Sequence, residues 1–352
     1  MADLERTRPT PGEIVPGVIA AVGVAVVSRV VHGALPPAIA GTLGDVIVAM
    51  ALGVVVTNAV RLPQRLLPGL RWCVTVVLRG AIVLLGTRLA FEQVLAIGGQ
   101  ALGIIVVLMA VALLVAHALA RLTRTPPRVA SLVGVGVSVC GNTAIVATAP
   151  AIGASDDDVA TAIAVNTLFG TIAVFTYPLL ARALGLDPLV FGTWAGTAVN
   201  DTSQVVAAGF AYGAVAGQLA TTVKLARNAL MGVVVVGMGL MHGRTGAGAA
   251  SPRALLRASF PLFVVGFLAL ALANSLGVVT ALSDATGVDV AGGMAALARA
   301  LLLVSLAAVG LSSSASGLRR AGWRPFAVGL GAATITSVAS FALIQVLGPA
   351  GA

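Results

Sequence analysis

Two short polar clusters interrupt long apolar runs of this sequence, and they carry most of the residues whose types could do chemistry. The first cluster consists of Cys140, Gly141, Asn142 and Thr143. The second consists of Asn200, Asp201, Thr202, Ser203 and Gln204. A lipid bilayer offers no water to a broken backbone, so such interruptions persist only where protein buries them or where they line a cavity. Two of them in one chain predict a binding site of the kind that carriers use.

Each cluster can begin a new helix. Asn142-Thr143 is a good N-cap for the run that reaches Pro150, and Asn200, Asp201 or Thr202 can cap a run through Ala211. The start of a helix exposes free N–H groups and a partial positive charge, which together can hold an anion. The two clusters therefore predict two half-helices whose amino ends face one ligand.

Three further polar residues are predicted to lie at the same depth. Counted from the acidic loop at 156–158, Asn166 lies about as deep as Asn142. Counted from a turn near residue 215, Arg227 reaches the depth of Asp201, and Lys224 shares its helix face. Two bases against one acid favour an anionic ligand. The alternative is a buried pair in which Asp201 only neutralises one of the bases.

Composition sets the class of protein. The chain has 352 residues, of which 59% are hydrophobic and 9% are charged, with a mean hydropathy of +1.05. Continuous apolar runs exclude a soluble domain and a β-barrel and predict an all-α polytopic membrane protein. The net charge of +9 indicates basic cytoplasmic loops rather than nucleic-acid binding. Cys73 and Cys140 have no metal-ligand or disulfide spacing, and no cofactor motif is present.

Apolar windows of about 20 residues predict about eleven transmembrane helices, two of them interrupted. The windows are 14–31, 36–60, 70–90, 98–120, 129–152, 158–181, 189–213, 217–241, 259–281, 290–312 and 323–347. We expect residues 1–13 to form a cytoplasmic tail and 14–347 a single transmembrane domain, with 129–241 as its core.

The charges orient these eleven segments in the cell membrane. With the amino terminus inside and the carboxy terminus outside, fifteen of the 21 basic residues fall on the inner side. Arg182 is among them, whereas the loop at 156–158 falls outside. Four bases fall within apolar segments, where each needs a partner or a wet cavity. They are Arg79, Lys224, Arg227 and Arg299.

Two internal similarities suggest repeats. Residues 86–102 match 310–326 with Gly86 opposite Gly310, and these hairpins point in opposite directions, as an inverted repeat requires. Residues 143–153 resemble 202–212, and 159–163 then match 219–223. Counting crossings gives this second pair the same orientation. A re-entrant segment, a shared role and chance remain open as explanations.

The sequence resembles the YeiH-type membrane proteins, a family described as sulfate exporters. The resemblance rests on stretches including 79–86, 140–150, 162–170, 191–199, 204–209 and 220–227, and covers about 70 to 345. Members have Ser-Ala where this chain has Asn142-Thr143 and His-Glu where it has Asn200-Asp201, so the acid is kept and the histidine is absent. The resemblance implies a fold related to cation–proton antiporters and bile-acid transporters, with crossed broken helices, an elevator-like movement and a dimer.

Two functions remain in competition at this point. The first is export of a small anion such as sulfate or an organosulfonate, with Lys224 and Arg227 supplying charge and the half-helix starts supplying N–H donors. The second is cation–proton antiport in which Asp201 binds proton and cation in turn. An intramembrane enzyme is disfavoured because no nucleophile–base pair or nucleotide loop is present.

Overall fold

The computed structural model describes residues 9–36, 44–60, 62–242, 262–313 and 322–351. Within these residues, every regular secondary-structure element is a helix. The helices are α1 (Pro11–Ala34), α2 (Asp45–Ala59), α3 (Gln64–Arg88), α4 (Phe91–Thr123), α5 (Pro127–Ser138), α6 (Asn142–Ile152), α7 (Asp156–Ala183), α8 (Pro188–Ala198), α9 (Thr202–Tyr212), α10 (Ala214–Ala229), α11 (Met231–Met241), α12 (Leu262–Ser275), α13 (Val278–Thr286), α14 (Val290–Ser312) and α15 (Trp323–Leu347).

The apolar helices confirm the all-α polytopic class. In the described part of the chain, seven spans are long and apolar enough to cross a membrane, with α10 and α11 forming one of them. The pair α12–α13, bent by 68°, would be an eighth, and α2 is a shorter apolar helix of 15 residues. Residues 1–8 of the predicted tail lie outside the described residues, and α1 already begins at Pro11.

Helices α5 and α6 form a hairpin instead of one broken crossing. Ser131, early in α5, lies 3.3 Å from His242 just beyond the end of α11, and Cys140 at the break lies 3.5 Å from Met231 at its start. Helix α6 then runs back along α11, since a Cβ on Gly239 would lie 3.7 Å from Ala151. Both ends of the pair are therefore at the same face of the molecule.

Helices α8 and α9 form a second hairpin, which enters from the opposite face. Gly192 and Gly196 pack against Ala216 and Ala220, so α8 runs parallel to α10. Gly209 packs against Gly217, so α9 runs antiparallel to α10. The two ends are tied together where the Tyr212 hydroxyl donates to the Leu186 carbonyl.

The two hairpins change the predicted topology. Segments 129–152 and 189–213 return to the face they came from, because each break lets the chain reverse. The start of α1 and the end of α15 still lie at opposite faces, because two hairpins replace two crossings and the number of crossings stays odd. The face where α1 begins also holds Arg65, Arg124 and Arg324, and we call it the basic face. The acidic start of α7 moves to this face and Arg182 to the opposite one, contrary to the prediction. Other basic residues of the prediction lie outside the described residues: Arg6, Arg8, Arg61, Arg244, Arg253, Arg257, Arg319 and Arg320.

The hairpins also resolve the orientation of the second internal similarity. The matched stretches are α6 with α9 and the following helix α7 with α10. Helix α7 leaves the basic face, whereas α10 returns to it, so the two units are inverted. The first similarity behaves likewise: α3 ends beside the start of α14, at Arg88 and Ala295, and so the two helices are antiparallel. Residues 314–321 of that match lie outside the described residues.

Candidate functional site: a cavity at two hairpin tips

The tips of the two hairpins meet inside the molecule. Gly141 has φ +68°, a conformation that favours glycine, and a Cβ there would lie 2.9 Å from the Asp201 carboxylate and 2.9 Å from the Asn166 amide. The chain reverses at this glycine because no side chain has to fit between the tips. Residues about sixty positions apart in sequence are thereby brought into contact.

A cavity of about 270 Å³ opens beside the tips, between them and helices α3 and α12. Phe263 of α12 belongs to its wall, and the buried apolar residues Leu85 and Leu89 lie between the cavity and the face opposite the basic one. Helix α3 contributes Val74 and Thr75 from a five-residue π-helical segment, a departure from α-helix that is common at functional sites. Six predicted site residues line it: Cys140, Asn142, Thr143, Asp201, Thr202 and Ser203.

The amino end of α6 is open. Its N-cap is Gly141, with no side-chain capping hydrogen bond, so the prediction that Asn142-Thr143 provides the cap is wrong. The side chain of Asn142 turns instead to α7, where its oxygen accepts from Asn166 (3.0 Å) and its Nδ2 donates to Thr167 (3.0 Å). Because Gly141 takes the N-cap position, Asn142 is already the first residue of α6, and its side chain contacts α7 instead of the backbone N–H groups of α6. In the described part of the chain, no side-chain acceptor caps the first N–H groups of α6.

The amino end of α9 is capped by Asp201. One carboxylate oxygen accepts from the Ser203 backbone N–H (2.9 Å) and from the Ser203 hydroxyl (2.7 Å). Among the described residues, no ion pair joins Asp201 to Lys224 or Arg227. The alternative of a simple buried pair is therefore not what the geometry shows.

Lys224 and Arg227 lie behind the tips and bind backbone carbonyls. The Lys224 ammonium donates to Val139 (2.8 Å) and Val199 (3.0 Å), and also to Asn200. The Arg227 guanidinium donates to Ser138 (2.6 Å) and Thr197 (2.7 Å), as well as to Val137. Both side chains are almost fully buried, at 0% and 1% exposure.

These contacts decide what the two cations do. The accepting carbonyls are those left over at the carboxyl ends of α5 and α8, where each half-helix carries a partial negative charge. Lys224 and Arg227 satisfy those carbonyls and offset that charge, and they do not line the cavity. The predicted direct contact of these cations with a ligand is therefore not the arrangement found.

The remaining predicted residues support the tips from behind. Asn166 holds Asn142, and Asn200 is buried with its carbonyl bound to Lys224. Gln204 donates to the Thr167 carbonyl at 3.1 Å and so fastens α9 to α7. Gly141 forms the reversal itself. These four residues shape the cavity without lining it.

Arg79 and Asn228 are among the lining residues that were not predicted as ligand contacts. Arg79 is exposed, lies 5.6 Å from the Phe263 ring centroid and supplies the positive side chain of the cavity wall. Asn228 donates to Thr202 at 3.2 Å, while its buried oxygen has no hydrogen-bond partner among the described residues. The signal for Arg79 was its depth in an apolar segment, where a charge needs a partner or a wet cavity. Asn228 had only its position next to Arg227 to mark it.

The fold and the site together define a class: a polytopic helical membrane protein in which two inverted re-entrant hairpins meet at a cavity. The chain belongs to the family described as "Conserved hypothetical protein 698", whose sequence profile matches residues 16–329. A UPF0324 membrane protein of Agrobacterium fabrum is 36% identical over 304 residues, 86% of this chain and 84% of the relative.

Further relatives carry the same description. A UPF0324 membrane protein of Streptococcus pyogenes serotype M6 is 35% identical over 82% of this chain and 85% of its own length. One from Nitratidesulfovibrio vulgaris is 32% identical over 86% of this chain and 84% of its own length. No solved structure matches the chain. The relatives agree with the helices in placing the protein in a membrane.

Proposed function

We propose that this protein is a secondary transporter that exports a small anion, such as sulfate or an organosulfonate, across the cell membrane. The observation that carries the proposal is the convergence of two half-helix amino ends and Arg79 on one cavity. Free N–H groups at a helix start, together with a guanidinium, are the donors that oxyanions bind in proteins.

The electrostatic balance at the tips supports an anion. The negative carboxyl ends of α5 and α8 are offset by Lys224 and Arg227 from behind, while the uncapped amino end of α6 and the Asp201-capped amino end of α9 lie on the cavity side. Asp201 is the single carboxylate among the described lining residues, and Ser203 already occupies one of its oxygens.

The packing supports movement of the hairpins as one body. Lys224 and Arg227 on α10 each donate to carbonyls of both hairpins, so the tips are tied to a common helix. Between the cavity and the opposite face, an apolar seal includes Ile82, Val206 and Leu302. Sliding the hairpin unit along α3 and α14 would open the tips to the opposite face, which is alternating access.

Orientation follows from the charges. The basic face is assigned to the cytoplasm by the positive-inside rule, which places the amino terminus inside and the carboxy terminus outside. We take the cavity to open on the cytoplasmic side, as an exporter loading its substrate requires. A carrier is favoured over an enzyme because the Cys140 sulfur contacts the Met231 sulfur at 3.5 Å, and the described cavity lining holds no histidine to activate a thiol.

Reconstitution into liposomes tests the proposal. We expect flux of labelled sulfate or methanesulfonate above empty vesicles. Arg79→Gln should raise the KM about tenfold, the equivalent of about 1.4 kcal/mol, and Arg79→Lys should recover part of it. Arg324→Gln, at an arginine of the basic face outside the cavity, is the matched control. Absence of flux for both anions, or an unchanged KM in Arg79→Gln, would contradict the proposal.

A further inference from the structure

A second cavity lies near the face opposite the basic one. Its volume is about 200 Å³, and we call it the vestibule. Its polar lining consists of Asp45, Arg88, Gln218 and Arg299. The apolar seal, with Ile82, Leu85 and Val206 among its buried members, separates the vestibule from the hairpin tips. The two cavities are therefore on opposite sides of one closed region.

Arg299 is the vestibule residue that most needs an explanation. It lies nine residues beyond the start of α14 at Val290, about 14 Å below that face at the rise of an α-helix. No described residue makes an ion pair or hydrogen bond with its guanidinium. A charge at such depth costs several kcal/mol unless it faces a wet cavity or a partner. Two arginines against Asp45 give the vestibule an excess of positive charge.

The internal repeat relates the vestibule to the tip cavity. In the register that places Gly86 opposite Gly310, Thr75 is opposite Arg299 and Leu78 is opposite Leu302. Thr75 and Leu78 line the tip cavity, whereas Arg299 and Leu302 line the vestibule. The same face of two antiparallel, repeat-related helices therefore borders each cavity. Arg79 lies one helical turn along α3 from Thr75, so in this register the two arginines are offset by one turn, about 5.4 Å.

We infer that the vestibule is the anion site of the opposite conformational state, in which Arg299 takes the part that Arg79 has in the tip cavity. The inference rests on the proposed function and names the second half of the path. The ligand is a small oxyanion of the same class as the exported one. When the hairpin unit moves toward the opposite face, the anion leaves Arg79 and reaches Arg299 before release.

Thiol labelling from the vestibule side tests this directly. Ala214, which lines the vestibule and is exposed, is replaced by cysteine in a chain whose Cys73 and Cys140 are alanine. A membrane-impermeant maleimide is added from that side with or without sulfate. At a sulfate concentration about ten times the dissociation constant, occupancy should slow labelling about tenfold. Arg299→Gln should remove this protection.

The matched control is Arg29→Gln, an exposed arginine in the same half of the molecule that does not line the vestibule; it should keep the protection. Labelling that sulfate does not slow, or equal protection in Arg299→Gln, would overturn the inference. Liposome flux separates the two proposals. Flux without protection would contradict the vestibule site alone. Protection without flux would contradict the transport function and leave an anion-binding site.

Discussion

The two hairpins follow one plan but differ in what they carry. In the register that aligns Thr143 with Thr202, Asn142 is opposite Asp201 and Gly141 is opposite Asn200. The first hairpin reverses through a glycine at φ +68°, whereas the second reverses with Asp201 at φ −88°, open to any residue. One tip is thus neutral and needs a glycine, while the other is charged and does not.

Their supporting helices differ in the same sense. Helix α7 offers the first hairpin the neutral side chains of Asn166 and Thr167. Helix α10 offers Lys224 and Arg227, and these serve the carboxyl ends of both hairpins. From this difference we infer that the buried cations hold the tips together, whereas the helix amino ends and Arg79 bind the anion. The predictions below test this division.

The largest effect is expected from removing a buried cation on α10. Arg227→Gln leaves carbonyls of both hairpins without a donor, and breaking such a buried network should cost about 3 kcal/mol or more. Thermal unfolding in detergent, followed by tryptophan fluorescence, measures the loss. Arg324→Gln, at an arginine over the Trp323 ring on the surface, is the control. Equal melting temperatures for the two variants would show that α10 does not hold the tips.

The next effect concerns the glycine reversal. Gly141→Ala combines a positive φ with a Cβ 2.9 Å from Asp201 and Asn166, so we expect a loss of about 1–3 kcal/mol and of most transport. Gly213→Ala is the matched control, because Gly213 has an extended φ of 167° and open space around it. Thermal unfolding and flux are measured for both. A Gly141→Ala variant as stable and active as Gly213→Ala would mean that the tips do not meet as described.

The sequence was sufficient for the class of protein, the apolar helices and the two breaks. Each of these follows from local composition: apolar runs of bilayer length, and polar clusters with Gly141 among them. It also predicted that Asn166 lies at the depth of Asn142 and that Arg227 lies at the depth of the second break. Counting residues from a turn gives the depth of a residue on a helix.

The reversals could not be found in this way. A broken crossing and a re-entrant hairpin have the same apolar pattern, and what separates them is packing between distant elements, such as Gly192 and Gly209 on either side of α10. The internal similarity held the missing signal, since the conflict of orientation disappears once both segments turn back. The role of Lys224 was missed for a related reason. Its partners are backbone carbonyls, which every residue has, so no residue type marks them.

The smallest effect on stability is expected from changing the charge at the hairpin tips, although these variants discriminate best between the two candidate functions. Asp201→Asn keeps an oxygen that can accept from Ser203, so the cap should survive with a change below about 1 kcal/mol. For an anion carrier, losing a negative lining residue should leave sulfate flux intact with an equal or lower KM. Asn142→Asp, which adds a charge at the equivalent position of the first hairpin, should raise that KM.

Cation–proton antiport makes the opposite prediction at the same residue. Asp201 would then bind the proton and the cation, so Asp201→Asn would abolish a pH-dependent cation flux, and Arg79→Gln would leave that flux in place. Measuring sulfate uptake and pH-gradient dissipation by cations in the same vesicles separates the cases. In an antiporter, only the second hairpin tip, with Asp201, would bind the exchanged ions. The open amino end of α6 would then serve only to let the chain reverse. The anion carrier instead uses both amino ends together, which is why both Asp201→Asn and Asn142→Asp must be made.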